Sequence, residues 1–162
     1  MTNVQLRAPA HLVSRRARAY WTVRALVGWL VVGGIEAGIL SADMPAAARL
    51  TVAAVTLAIA LAHLVVMPQW RYRVHRWEIT HTAAYTQSGW VVQERRIAPI
   101  GRVQTVDTER GPFEQLFGLA NVTITTASAK GPLKIHALDR AVADNTVAWL
   151  TERAQLAAGD GT

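Results

Sequence analysis

Two stretches of the chain are almost free of polar side chains, and the residues after them alternate. Trp21 to Leu40 reads WTVRALVGWLVVGGIEAGIL, and Leu50 to Met67 reads LTVAAVTLAIALAHLVVM with no formal charge. About 20 apolar residues in a helix cross a hydrocarbon core about 30 Å thick, so the pattern predicts a transmembrane hairpin over 20–67, with spans at 21–40 and 50–67. Helices buried in a soluble core show a polar face, whereas the second stretch offers only Thr51, Thr56 and His63. A cleavable signal peptide shares the basic-then-apolar outline, but the first run is too long for its apolar segment and the second would remain as an anchor.

From Arg71 onward the period changes to short β-like runs broken by Gly, Pro, Ser and Asn, which predicts strands over 72–80, 83–87, 90–97, 102–109, 121–128 and 132–138. Val122 and Ile124 share one face while Thr123 and Thr125 share the other, and Leu133 and Ile135 oppose Lys134 and His136, so these strands bury one side. Evenly spaced short strands predict one antiparallel sandwich or barrel. Pro112 and Gly118 bracket a helical turn expected to press Phe113, Leu116 and Phe117 into the barrel. A last helix is expected from an N-cap at Asp139 to about Ala157, closing one end of the barrel with Ala143, Val147, Leu150, Ala154 and Trp149. The soluble domain is thus 68–157, followed by a tail over 158–162, and its link through Pro68 is too short to swivel.

Charge then orients the hairpin. The net charge is +6, only Lys130 and Lys134 are lysines, and the first 24 residues hold Arg7, Arg15, Arg16, Arg18 and Arg24 with no acid. Segment 1–19 is therefore a basic juxtamembrane piece, matched by Arg71, Arg73 and Arg76 after the second span, while the linking segment holds one arginine, Arg49, and one acid, Asp43. The positive-inside rule places both termini on the cytoplasmic side of a bacterial-type plasma membrane, with Tyr20, Trp21, Trp70 and Tyr72 at the interface. Arg15, Arg16, Arg18, Arg71, Arg73 and Arg76 are candidates for anionic lipid or partner contact.

Within the spans, Gly34 and Gly38, with Ala54, Ala58 and Ala62, repeat at the four-residue interval that lets helices approach closely, first within the hairpin and second against another subunit. Arg24 and Glu36 lie near the span ends and are expected to snorkel to water. His63, one turn before Met67, is placed to hydrogen-bond across the pair or meet a headgroup, and it lacks the partners that a proton relay needs.

Candidate chemistry is sparse. With no cysteine, the chain has no disulfide, thiolate metal site or cysteine nucleophile. There is no phosphate-binding glycine loop, HExxH, carboxylate pair or nucleophile elbow, so no enzyme activity and no cofactor is expected. His11, His63, His75, His81 and His136 are scattered; His75 and His81 alone are close in sequence, and a zinc site built on them lacks further ligands. Arg95, Arg96 and Arg102, with Arg110, form either a cationic patch for headgroups or an acidic partner, or a solvated rim diluted by Glu94, Asp107 and Glu109. No nucleic-acid motif accompanies the charge, and no nucleic-acid partner is expected.

The run Ile79-Thr80, Gly89, Arg95-Arg96, Ile97 to Val106 (IAPIGRVQTV), then Gly111-Pro112-Phe113 and Leu116 to Leu119 resembles the bacterial pleckstrin-homology-like (PH-like) domains of the YdbS type, also called membrane-flanked domains. The resemblance covers residues 20 to 155. It implies a seven-stranded bent β-sandwich capped by a C-terminal helix behind paired transmembrane helices, no enzymatic activity and no known ligand residues. It also implies a hetero-oligomeric partner, often a larger relative with several copies of the domain. The sequence therefore reads as a membrane-anchored interaction module in contact with the bilayer. The alternatives are an anionic-lipid-binding or lipid-sensing domain, or an accessory subunit of an envelope-lipid enzyme or transporter.

Overall fold

The computed structural model describes residues 8–40, 44–127 and 130–159, with backbone alone over 156–159. Arg7, Asp43, Ser128 at the end of an expected strand, and residues 160–162 of the expected tail lie outside the described residues. Two antiparallel helices, α1 (Arg16–Ile39) and α2 (Ala46–Val74), form the hairpin, and both are long and apolar enough to cross a membrane. Their apolar windows are almost wholly exposed, which is the surface that lipid covers.

Both helices outrun the spans read from the sequence at the end nearest the domain, and α2 also starts four residues earlier, at Ala46. At 1.5 Å per residue α2 is about 44 Å long, well beyond a hydrocarbon core of about 30 Å. It passes through Pro68, which has no N–H to donate to the preceding turn and was expected to end it. Packing overrides that local cost: Met67 and Tyr72 lie in one apolar cluster with Ala17, Tyr20 and Trp21 of α1, and the neighbouring helix holds the turn in place. The strand expected from residue 72 consequently begins only at Arg76, with His75 as the single joint.

The described residues contain seven strands in two antiparallel sheets. One sheet runs β1 (His11–Leu12), β2 (Arg76–Ile79), β3 (Ala83–Gly89), β4 (Gln93–Pro99); the other runs β5 (Val103–Glu109), β6 (Leu119–Thr126), β7 (Leu133–Asp139). The turn α3 (Pro112–Leu116) joins β5 to β6, and α4 (Arg140–Gly159) follows β7 directly. The sandwich core comprises Ala84, Ala98, Ile100, Ala120, Val122, Ile124, Leu133, Ile135 and Leu138, covered by Ala143 and Leu150 of α4 with Val147 and Trp149 beside them. This is the seven-stranded, helix-capped sandwich expected, except that its seventh strand comes from the N-terminal segment, ahead of the hairpin. His11 and Leu12 pair with Trp77 and Arg76.

Two local expectations are corrected. Leu116 is 76% and Phe113 38% exposed, so the turn α3 does not plug the sandwich; only Phe117 packs inward, against the α1 cluster. The turn still closes on Gly118 at φ +66°, and an added Cβ there would meet Arg16 Nη1 at 2.9 Å. Asp139 ends β7, and its carboxylate accepts a hydrogen bond from Ser14 Oγ at 2.8 Å, tying the N-terminal segment to the domain. Finally, Gly34, Gly38, Ala54, Ala58 and Ala62 all face outward, and a Cβ added at either glycine meets nothing within 4 Å. The hairpin is instead joined by the Trp29–His63 hydrogen bond and, nearer the domain, by Arg18 with Gln69 and Tyr72 and Arg71 with Trp21.

Ala137, buried in β7, has φ +55°, a left-handed conformation costly for a side chain. Two hydrogen bonds compensate: its N–H donates to Asn121 Oδ1 at 2.9 Å, and its carbonyl accepts from Ser14 N at 3.0 Å. Ala137→Gly should change stability by no more than about 1 kcal/mol, whereas Ala137→Val should lower it by about 2–4 kcal/mol, as read from unfolding in detergent.

Candidate functional site

The densest polar chemistry lies where the hairpin enters the domain. Trp21 is 3% exposed and Tyr20 and Ala17 are buried, all packed with Leu119 of β6 and Ala137 of β7. Tyr20 and Trp21 were expected to face the lipid interface; the domain covers them instead, so α1 is part of the domain core. Arg24 Nη1 donates to the Tyr20 hydroxyl at 2.7 Å, and that hydroxyl donates to Glu114 Oε1 at 2.7 Å. Asn121 Nδ2 reaches the same carboxylate oxygen at 3.5 Å while its Oδ1 receives the Ala137 N–H. A continuous chain of hydrogen bonds thus runs from the first membrane helix to the strained residue of β7. Burial would raise the pKa of Glu114, but the Tyr20 hydroxyl, its own backbone N–H, Asn121 and the Arg24 charge together hold it below the usual carboxylate range.

On the α2 side the arginines stack on rings. Arg71 lies 4.7 Å over Trp21, and Arg18 lies 4.9 Å over Tyr72 while donating to Gln69 Oε1 at 3.4 Å. Below Arg71, His75 is buried and its Nδ1–H donates to the Arg71 carbonyl at 2.8 Å, which leaves Nε2 with its lone pair. His136 of β7 stands 6.5 Å away between ring centroids. Burial, with the Arg71 charge and His136 added, pushes the His75 pKa from its usual 6.5 down to about 4, and burial with the Arg71 and Lys134 charges lowers that of His136. Arg71, His75 and His136 line a pocket of about 270 Å³ with Ser88, Gly89 and Trp90.

His63 accepts a hydrogen bond at Nδ1 from Trp29 Nε1 at 3.0 Å, the bond across the pair that its position suggested. Glu36 lies between the helices, with Arg49 and Thr56, on a largely apolar cavity of about 690 Å³. The expected patch of Arg95, Arg96 and Arg102 is not assembled. Both Arg96 terminal nitrogens are occupied by the carbonyls of Lys130, Gly131 and Pro132, which latch β4 to the β6–β7 turn; Arg95 Nε donates to Gln87 Oε1 at 3.0 Å, and Arg110 Nε to the Leu119 carbonyl. Arg102 is exposed on the turn before β5, and Arg15, Arg16 and Arg73 are exposed near the ends of the two helices. Arg76 is half-buried on β2. Among the described residues no three metal-ligating side chains converge, and His81 lies apart from His75, against Trp149. Glu114, Trp90 and Trp29 were not singled out by sequence reasoning, and His136 was read only as one of the scattered histidines, because each acquires its role from a residue far away in the chain.

Tyr20→Phe keeps the ring and removes the bridging hydroxyl, and should cost about 1–2 kcal/mol of stability in chemical unfolding. His75 and His136 are held neutral in the fold but protonate once unfolded. Their contribution is therefore intact above pH 6.5 and declines as pH falls toward 4. Melting temperature in detergent should fall over that window, and His75→Asn should flatten part of the slope.

The sequence pattern of the family described as "Bacterial PH domain" matches residues 26–154. The transmembrane protein YdbS of Bacillus subtilis (strain 168) is 48% identical over 59 residues, which span 36% of this chain and 34% of that protein. The aligned stretch thus covers about a third of its curated relative, and no solved structure matches. The matched region takes in most of the hairpin, with its two lipid-length helices, and nearly all of the sandwich, and the chain belongs to the bacterial PH domain family as a membrane protein.

Proposed function

We propose that this protein is a non-enzymatic, membrane-anchored PH-like module of the bacterial plasma membrane. It crosses the bilayer twice with both termini cytoplasmic, and it assembles with a partner membrane protein, such as a larger relative carrying several PH-like domains. The observation that carries this reading is the core shared by α1, α2 and the sandwich, which fixes the domain relative to the hairpin. A partner in the same membrane then meets spans and domain in one register, and confinement to a bilayer raises effective concentration so that modest contact areas suffice. The outward small-residue face of Gly34, Gly38, Ala54, Ala58 and Ala62 is open to a neighbouring helix, because the hairpin itself does not use it.

Purification in mild detergent from native membranes at native expression should recover a defined partner by mass spectrometry; recovery of the monomer alone contradicts the reading. Gly34→Leu with Gly38→Leu should leave the melting temperature unchanged, since the added atoms meet nothing within the chain, and should reduce partner recovery. A C-terminal tag should be unreachable from outside intact cells.

A second reading, recognition of an anionic phospholipid headgroup, is favoured by the Arg71 pocket. Among the described residues no carboxylate forms an ion pair with Arg71, and Ser88 and the two histidines add polar groups beside it. On this reading the full chain should retain phosphatidylglycerol in native mass spectrometry, and Arg71→Gln should lose it. The full chain is the proper sample, because a fragment starting at residue 68 lacks Val13, Ala17, Tyr20 and Trp21 from its core.

A further inference from the structure

The β3–β4 hairpin does not project away from the bilayer. Its tip, Trp90-Val91-Val92, rises along α2. The Trp90 ring lies 5.6 Å from the His63 ring, and Trp70 Nε1 donates to the Trp90 carbonyl at 3.1 Å. His63 sits within the uncharged stretch 50–67, four residues before Met67, and therefore about 6 Å inside the point where that stretch ends. The Trp90 ring reaches that depth, while its carbonyl is held by Trp70, three residues past the end of the stretch, so the tip stands at the border of the apolar span. Val91 and Val92 are 82% and 80% exposed, and the described residues of this chain leave them uncovered.

The turn is built to hold this shape. Gly89 has φ +123°, and a Cβ there would stand 1.9 Å from the Val92 carbonyl oxygen, so only glycine permits the tight reversal that brings three consecutive apolar residues to the tip. The first charged residues of β4, Glu94 and Arg95, pair across with Ser88 and Gln87, one to two residues below the turn. The apolar section is thus the three-residue turn itself, with charge immediately beneath it. Such an arrangement suits the boundary between headgroups and acyl chains, where apolar groups bury about 5–10 Å into the bilayer.

We propose that Trp90, Val91 and Val92 insert into the domain-side leaflet, forming a third membrane contact beside the two spans. With α1 and α2 anchoring one side, the inserted tip sets the tilt of the sandwich and holds the Arg71 pocket beneath it at headgroup level. This inference needs only the hairpin in a bilayer and holds whether or not a partner protein binds.

The absence of cysteine permits a direct test on the full chain. Single variants Val91→Cys and Val92→Cys carry a nitroxide in vesicles of phosphatidylethanolamine and phosphatidylglycerol. Leu57→Cys on the exposed face of α2 serves as the lipid reference, and Gln104→Cys on β5 as the water reference. Labels at 91 and 92 should relax several-fold more with oxygen than with a water-soluble nickel chelate, approaching the Leu57 label and opposite to the Gln104 label. A response like that of Gln104, or poor access to both relaxants from protein covering the tip, overturns the proposal.

Discussion

The structure rests on one buried cluster in which the first membrane helix is a component of the soluble domain. Ala17, Tyr20 and Trp21 leave the lipid-facing register of α1 and pack with Val13, Met67, Leu119 and Ala137. Burial of large aromatic side chains contributes on the order of 2–3 kcal/mol each, enough for a few residues to fix the orientation of a whole domain. Other features follow from this cluster. Helix α2 is braced past Pro68, the N-terminal segment is drawn across β2 as a short strand, and Ser14 reaches Asp139. A small sandwich that would be marginal alone gains apolar area from the hairpin.

The polar groups around the cluster explain how such a junction is tolerated near a membrane. Arg24, which a bilayer would otherwise reject, turns toward the domain and shares the Tyr20 hydroxyl with Glu114; Arg71 covers the face of Trp21. Arg24 is directed toward the domain by Tyr20 one turn away on α1, which Glu114 of α3 holds from the other side, and Arg71 of α2 is held by Trp21 of α1. His75 occupies the one-residue joint between α2 and β2 and spends its Nδ1–H on the last turn of α2, so the joint is hydrogen-bonded and gives the domain no swivel.

Features with a local cause were legible in the sequence. Length and hydropathy gave the two spans, alternation gave β6 and β7, the Gly111-Pro112 to Gly118 frame gave the turn, and the apolar stripe gave α4. Features decided by distant partners were not. Nothing in His11-Leu12 marks a strand until β2 is beside it, and Pro68 looks like a helix end until α1 packs against the next turn. The small-residue spacing at Gly34 and Gly38 suggests close approach within the hairpin, but the two glycines face outward, because spacing alone does not say which face of a helix its neighbour meets. Arg96 looked like a surface cation because the carbonyls it holds at 130–132 lie across the sandwich.

If hairpin and domain share a core, the distance between a point in the bilayer and a point on the far side of the sandwich must be single-valued. Spin labels at Leu50→Cys and Gln104→Cys, with double electron–electron resonance measured on the full chain in vesicles, test this directly. The shared core predicts one narrow distance distribution. A broad or multimodal distribution would mean that the sandwich moves independently of the helices, which would contradict the account.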